Sequence, residues 1–431
     1  MKIGKKLNRE IINAGWLIGG KILQMLLSLL IGVYSARYLG PSNYGLINYA
    51  NAYLRFFVVF CTLGLNSIIV KEFIDHPEEQ GIALGSSIFI RIVSSLCALM
   101  AIISIVCLLD RGETETIIVV AISSLSLVFQ SFDIINYWFQ AKYKSKVNSI
   151  VTLGSYIVTS GYKVVLLVLN KNVKWFAFAL SIDYITLAVL LFIAYNKSNG
   201  PKLSVSWYKI KSLLGKSHHY IISGMMVAIY GQTDKMMLKQ MLDETAVGYY
   251  SIATNICGMW VFILQAIIDA VYPTILGLHK KNQVEFERKN KQLYAIIFYI
   301  SITVSMFFTI FGDVVIRILY GNAYMGAAMP LKVITWYTTF SYLGVARNAW
   351  VVCQDKQRYL KYIYMCAAVM NVIMNALFIP KLGVTGAALA SLITQICTSI
   401  ILPLFFNGMR ENSILMLQAI CLRDVIPKKN S

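Results

Sequence analysis

Residues 14–36 read AGWLIGGKILQMLLSLLIGVYSA. A bilayer core needs roughly 20 consecutive apolar residues to be crossed by a helix. This stretch supplies them, but it carries a lysine, Lys21, well inside the run. An ionisable group at that depth is costly and is a functional candidate by default. At helical spacing Lys21, Gln24, Ser28, Gly32 and Ser35 share one face, while Ile22, Met25, Leu26, Leu29, Leu30 and Val33 cover the rest. One side suits a wet interior and the other suits lipid. The next apolar run repeats the design, with Asn48, Asn51, Arg55 and Thr62 along one face of a helix from about Tyr44 to Ile69.

The rest of the chain follows the same rule. Of its 431 residues, 58% are hydrophobic and only 14% are charged, which excludes an ordinary soluble domain. Apolar runs of span length occur near residues 14–36, 44–69, 84–108, 117–139, 149–169, 175–195, 219–238, 248–276, 293–311, 333–352, 362–379 and 385–406. The expected fold is therefore an all-α polytopic membrane protein of about 12 transmembrane helices. The longest polar interruption, from Asn196 to Lys216, divides the spans into two sets of six. This gives an N-lobe over 1–200, a cytosolic linker over 201–217, a C-lobe over 218–406 and a cytosolic basic tail over 407–431. An even number of spans returns the chain to its starting side, so the lobes can form a parallel pseudo-twofold repeat. Shifting YLGPSNYGLINYA (38–50) onto MLDETAVGYYSIA (241–253) superposes Leu39 on Leu242, Gly45 on Gly248 and Ala50 on Ala253.

The formal charge of +19 raises the question of nucleic acid, and its distribution answers it. With the N-terminus in the cytosol, the terminal arms and even-numbered loops hold 25 basic residues and the odd-numbered loops hold 8. This asymmetry sets topology, with both termini cytosolic, and it faces lipid headgroups rather than nucleic acid. The basic start of the chain lacks a small-residue cleavage site after its apolar run, so it reads as an uncleaved first span. Seven of the eight cysteines lie in or at the edge of apolar runs, with no spacing for disulfides or zinc. The acidic stretch with Glu72, Asp75, Glu78 and Glu79 reads as a solvated cytosolic loop.

Six basic residues lie inside the expected spans: Lys21, Arg55, Arg91, Lys163, Lys235 and Arg347. Each can pair with an aspartate (Lys163 with Asp183, Lys235 with Asp234) or snorkel to the surface. The first six spans, however, hold more cations than acids. Lys21, Arg55 and Arg91, with Lys163 and Arg347, are therefore candidates to line an aqueous cavity for an anion, because guanidinium forks and ammonium groups bind phosphate. Gln24, Asn48, Asn51, Tyr230, Asn255 and Gln265 are polar enough to meet a sugar. No phosphate-binding GxxxxGK[ST] loop is present. The four histidines, His76, His218, His219 and His279, lie in or beside cytosolic loops, and no glutamate lies inside a span. Asp234 and Asp269 are therefore the candidates for ion coupling. No metal site, cofactor or catalytic motif is expected, and the chain does not read as an enzyme.

Four segments carry a family resemblance: RYLGPSNYG (37–45), DIINYWFQ (133–140), ILYGNAY (318–324) and PKLGVTGAALA (380–390). Together they resemble the polysaccharide transporters, the Wzx-type flippases of O-antigen or capsule repeat units. That family belongs to the multidrug/oligosaccharidyl-lipid/polysaccharide (MOP) superfamily, which includes the MATE exporters. The resemblance implies two six-helix lobes, alternating access, and an oligosaccharide on undecaprenyl pyrophosphate moved from the inner to the outer leaflet of the bacterial cytoplasmic membrane. It also implies ion-gradient coupling through H+ or Na+ and a place beside the polysaccharide polymerase machinery of lipopolysaccharide or capsule synthesis. Two alternatives stay open. A MATE-type multidrug or cation antiporter needs an acid-rich cavity. A membrane glycosyltransferase or polymerase needs a sizeable outer catalytic loop.

Overall fold

A computed structural model describes the backbone of residues 2–279 and 281–423 and most side chains from Gln24 onward, and these residues are mainly helical. Among the described residues there is no strand. The helices are α1 (Lys2–Thr62), α2 (Ile69–Asp75), α3 (Gln80–Leu109), α4 (Thr114–Gln130), α5 (Ile134–Ala141), α6 (Ser145–Val168), α7 (Val173–Lys197) and α8 (Trp207–Met241). They continue with α9 (Glu244–His279), α10 (Gln283–Tyr320), α11 (Ala328–Ala346), α12 (Asn348–Cys353), α13 (Gln357–Leu382), α14 (Val384–Ile396), α15 (Leu402–Phe405) and α16 (Arg410–Ile420).

Local sequence sets the breaks. α1 is two helices joined at Gly40, whose φ of 72° is open to glycine, with Pro41 starting the second half. This is the stop and restart expected from the Gly-Pro pair. The Asp243 carboxylate accepts from the Ala246 amide at 2.7 Å and caps α9, and Asn282 does the same for α10 through the Glu285 amide at 3.1 Å.

Among the described residues, eight helical segments are long and apolar enough to cross a membrane: 77–109, 114–141, 146–168, 173–197, 244–279, 283–320, 357–382 and 384–405. Each overlies an expected span. The other four expected spans fall in α1, α8 and α11, which are helical there. α3 shows how the sequence serves a bilayer. Phe89, Val93, Leu96 and Met100 form an exposed apolar stripe, whereas Ser87, Arg91, Ser95 and Ala98 turn inward. A soluble helix has the reverse pattern.

The chain divides into two compact units, up to Ala228 and from Ile229 onward. In the first, α1 packs on α3, α4 and α6, and α7 packs on α4 and α6. Its core at one end gathers Leu65, Phe73, Leu84, Ile134, Trp138 and Leu191. In the second, α11 packs on α9, α10 and α14, and α13 lies on α14. Its core includes Leu264, Phe286, Tyr294, Trp350 and Met416. The last of these comes from α16, which is tied to α10 by the Asn412 amide donating to the Tyr294 hydroxyl at 2.6 Å.

The acidic stretch departs from expectation. Glu72 is not solvated: its side chain is 6% exposed, and its carboxylate takes Lys209 at 2.6 Å and Lys216 at 2.8 Å. Residues 137 and 144 positions along the chain supply its partners, which a local reading of the loop does not see.

Candidate functional site

Each unit contains one buried polar cluster built from groups that the sequence marks as out of place in an apolar helix. In the first unit the centre is Arg91 on α3, 1% exposed. Its Nη1 donates to Asn66 Oδ1 at 3.4 Å, and its Nε has no partner among the described residues. Asn66 sits in the short turn that follows α1. Asp133, Tyr137 and Tyr184 lie within electrostatic range of the guanidinium. Gln130 donates from Nε2 to the Tyr184 hydroxyl at 3.0 Å, and Asn136 donates to Asp133. Arg55 is exposed, yet it too acts on Tyr184. Arg55 and Arg91 thus both act electrostatically on one tyrosine, and Asp133 is the acid that acts on Arg91. Lys21 and its side chain lie outside the described residues.

The other expected members of this unit are placed differently. Gln24 and Asn51 are half-buried. Asn48 is buried and spends its amide on the Tyr44 carbonyl of its own helix at 2.8 Å. Lys163 lies near Asp183 without closing an ion pair with it among the described contacts. The Asp183 Oδ1 instead accepts from Ser155 at 2.6 Å and from Thr159 at 3.2 Å. The expected Lys163–Asp183 pair is replaced because two hydroxyls one turn apart on α6 reach the carboxylate first. Tyr156, also on α6, hydrogen-bonds Ser28, a member of the polar face that contains Lys21.

In the second unit Asp234 is the centre. It is 6% exposed and satisfied by neutral donors from three further helices. Ser391 Oγ donates to Oδ2 at 2.5 Å, Asn375 Nδ2 donates to Oδ1 at 2.6 Å, and the Tyr250 hydroxyl donates to Oδ2. Asn375 also donates to Asn371 Oδ1 at 3.1 Å. Asn375 Oδ1 and Asn371 Nδ2 are buried without partners among the described residues. A buried carboxylate among hydroxyl and amide side chains can stay charged, accepting their hydrogen bonds, or take up a proton. Asp269 and Gln265 are bonded to each other at 2.8 Å on an exposed part of α9, and Asn255 is exposed on the same helix. The side chain of Tyr230 lies outside the described residues.

Arg347 does not line an open cavity. It is 1% exposed at the junction of α11 and α12, and its Nη1 faces the carbonyls of Thr398 at 3.3 Å and Ser399 at 3.5 Å. These carbonyls lie in a π-helical turn, Cys397–Ile401, ahead of Pro403. Proline has no N–H to give the carbonyl four residues earlier, here Ser399, and the arginine takes that place.

The residues missed by sequence reasoning are Asn371, Asn375 and Ser391 around Asp234, and Asn66, Gln130 and Tyr184 around Arg91. Asn371 and Asn375 carried a readable signal: two amides at i, i+4 inside an apolar run, the same anomaly that singles out Lys21.

A helical membrane protein with this arrangement has the fold of the MOP transporters. Two solved structures show it: an inward-facing MATE multidrug transporter (TM-score 0.69, 15% identity, covering 91% of this chain and 95% of that one) and the lipid II flippase MurJ in an inward closed state (TM-score 0.72, 16% identity, 96% and 93%). The family described as "Polysaccharide biosynthesis protein" matches residues 35–329, more than half of the chain, and the chain belongs to that family. Among relatives, a Staphylococcus aureus protein named capsular polysaccharide biosynthesis protein CapF is 21% identical over 395 residues, covering 89% of this chain and 96% of its own length. An Escherichia coli (strain K12) protein described as a candidate O-antigen transporter is 20% identical over 399 residues, with 91% and 94% covered.

Proposed function

We propose that this chain is a flippase for undecaprenyl-pyrophosphate-linked oligosaccharide repeat units. It moves them from the inner to the outer leaflet of the bacterial cytoplasmic membrane by alternating access between two six-helix lobes, with both termini in the cytosol. The protein binds and releases its cargo without breaking a bond in it, and it delivers the cargo to the polymerase machinery outside. The observation that carries this reading is that Arg55 and Arg91 both act electrostatically on the same residue, Tyr184. Two guanidinium groups at one place suit a diphosphate, and hydrogen bonds to charged groups contribute about 1.5–3 kcal/mol each. The Gln130 amide and the tyrosine hydroxyls beside them suit the first sugar. Transport is coupled to an H+ or Na+ gradient at Asp234, whose donors can hold the carboxylate in a charged or a neutralised state.

The test is complementation. A strain lacking this gene accumulates lipid-linked repeat units on the cytosolic face, and the intact chain relieves the accumulation. Arg55→Ala and Arg91→Ala, checked for equal membrane abundance, lose surface glycan by tenfold or more. Full display by both variants removes the diphosphate reading.

A further inference from the structure

The segment Gly200–Lys216 joins α7 to the start of α8, and within the first unit it is two-faced. Its inner side is held to α3 and to the acidic stretch. Tyr195 donates to the Pro201 carbonyl at 2.5 Å, and the Ser204 amide meets the Gly81 carbonyl at 3.4 Å. The Ser206 amide donates to Ser86 Oγ at 3.0 Å. A methyl group built on Gly81 or Gly85 would overlap the carbonyl oxygens of Lys202 and Ser204, so the strap lies directly on the helix backbone. Lys209 is drawn inward to Glu72 and Glu79, and Lys216 is drawn to Glu72.

The outer side is left uncovered. Trp207 is 74% exposed and Tyr208 is 82% exposed, with Leu203 and Val205 also open. Lys202 and Lys211 are exposed beside them, and no acidic residue occurs in the sequence between Asp183 and Asp234. Tryptophan and tyrosine combine an apolar body with a polar tip, and they favour the boundary between headgroups and acyl chains. Lysines next to such rings reach anionic headgroups, and without a neighbouring carboxylate nothing on the strap competes for them. The ion pairs on the inner side occupy Glu72 and Glu79, the acids that touch the strap.

We propose that this strap is a docking surface for the anionic phospholipid headgroups of the cytosolic leaflet, with Trp207 and Tyr208 seated among them and Lys202 and Lys211 paired to their phosphates. The proposal rests on the membrane topology above but not on the transported cargo. Loss of the complementation result would leave the following measurement unaffected, and the reverse also holds.

The protein is reconstituted in nanodiscs of phosphatidylcholine with one quarter phosphatidylglycerol, and either lipid is brominated in turn. The emission of Trp207 is obtained as the difference between the protein and Trp207→Phe. Brominated phosphatidylglycerol is expected to quench it roughly tenfold more, per mole, than brominated phosphatidylcholine. The preference should vanish in Lys202→Gln/Lys211→Gln and at 1 M salt, where the Debye length is about 3 Å. Equal quenching by both lipids, quenching by neither, or a preference that survives the double substitution would overturn the proposal. Displacement of the lipid by inorganic pyrophosphate at constant ionic strength would also overturn it, because the lysines would then serve the cargo.

Discussion

Glu72→Gln breaks the inner side of the strap at its centre. The Glu72 and Lys209 side chains are 6% and 7% exposed and 2.6 Å apart, and removing one partner of a buried pair costs about 3–5 kcal/mol. Lys209 keeps Glu79, so the lower end applies, about 3 kcal/mol, which is roughly a hundredfold rise in the population of the lifted strap. The readout is hydrogen exchange at the amides of Ser204, Ser206 and Ile210, which bond to Gly81, Ser86 and Ser206. Their exchange should quicken by about that factor, while amides in α4 and α7 stay protected.

The pH dependence is fixed by sign. Burial raises the Glu72 carboxyl, but hydrogen bonds from Lys209 and Lys216 outweigh it and leave the group below its ordinary value. Its contribution is complete above the usual glutamate pKa, about 4.3, and is lost as pH falls through the lowered native value. Burial lowers Lys209, but Glu72 and Glu79 outweigh that and raise it. Its contribution is complete below the usual lysine pKa, about 10.4, and is lost as pH rises through the raised native value. The clamp therefore holds between these limits. Exchange in Glu72→Gln within threefold of the parent, after correction for intrinsic rates, would show that the ion pairs do not hold the strap.

Four further outcomes follow from the geometry. Gly85→Ala drives a methyl into the Ser204 carbonyl and should lift the strap at a cost of about 1–3 kcal/mol, seen in the same amides. Gly231→Ala, where nothing lies within 4 Å of the new carbon, should stabilise α8 by up to about 1 kcal/mol in thermal melting. Asp234→Asn removes the charge that accepts from Tyr250, Asn375 and Ser391, and it should leave glycan export insensitive to the ion gradient in proteoliposomes. Retained gradient dependence would place coupling elsewhere. Arg347→Met strips the donor from the Thr398 and Ser399 carbonyls and should lower the melting temperature, at about 1–3 kcal/mol for each carbonyl left bare. An unchanged melt would show that the arginine does not support the π-turn.

How much of this was legible in the sequence depends on distance along the chain. Eight of the expected spans and the Gly40–Pro41 break follow from local sequence, and the structure places them as read. The Arg91 environment was half visible. The arginine and Asp133 stand out in apolar runs, but Asn66, Gln130 and Tyr184 are ordinary residues until folding brings three helices and a turn together. Glu72 was misread for the same reason. Its lysines lie beyond five intervening helices, and an acidic stretch between spans looks solvated when its partners are out of sight.

The buried arginines show why charge in a span is only half a message. Arg91 and Arg347 are equally inaccessible, and each looks in the sequence like a cation awaiting an anion. What separates them is the neighbouring backbone. At Arg347 a proline, Pro403, has left the Ser399 carbonyl without its helical donor, and the guanidinium fills the vacancy from the next helix pair. Arg91 has no such debt to settle. Its Nη1 meets an amide oxygen at 3.4 Å rather than a bared backbone carbonyl, and Arg55 acts on the same tyrosine, Tyr184, as Arg91 does; among the described residues Nε lacks a partner in both buried arginines. A charge whose hydrogen bonds are used internally supports the fold. A charge held in place with bonds to spare, beside another of the same sign, is set for an anion that arrives from outside. Under the proposed function, that difference favours diphosphate recognition in the first unit and a supporting role for Arg347 in the second.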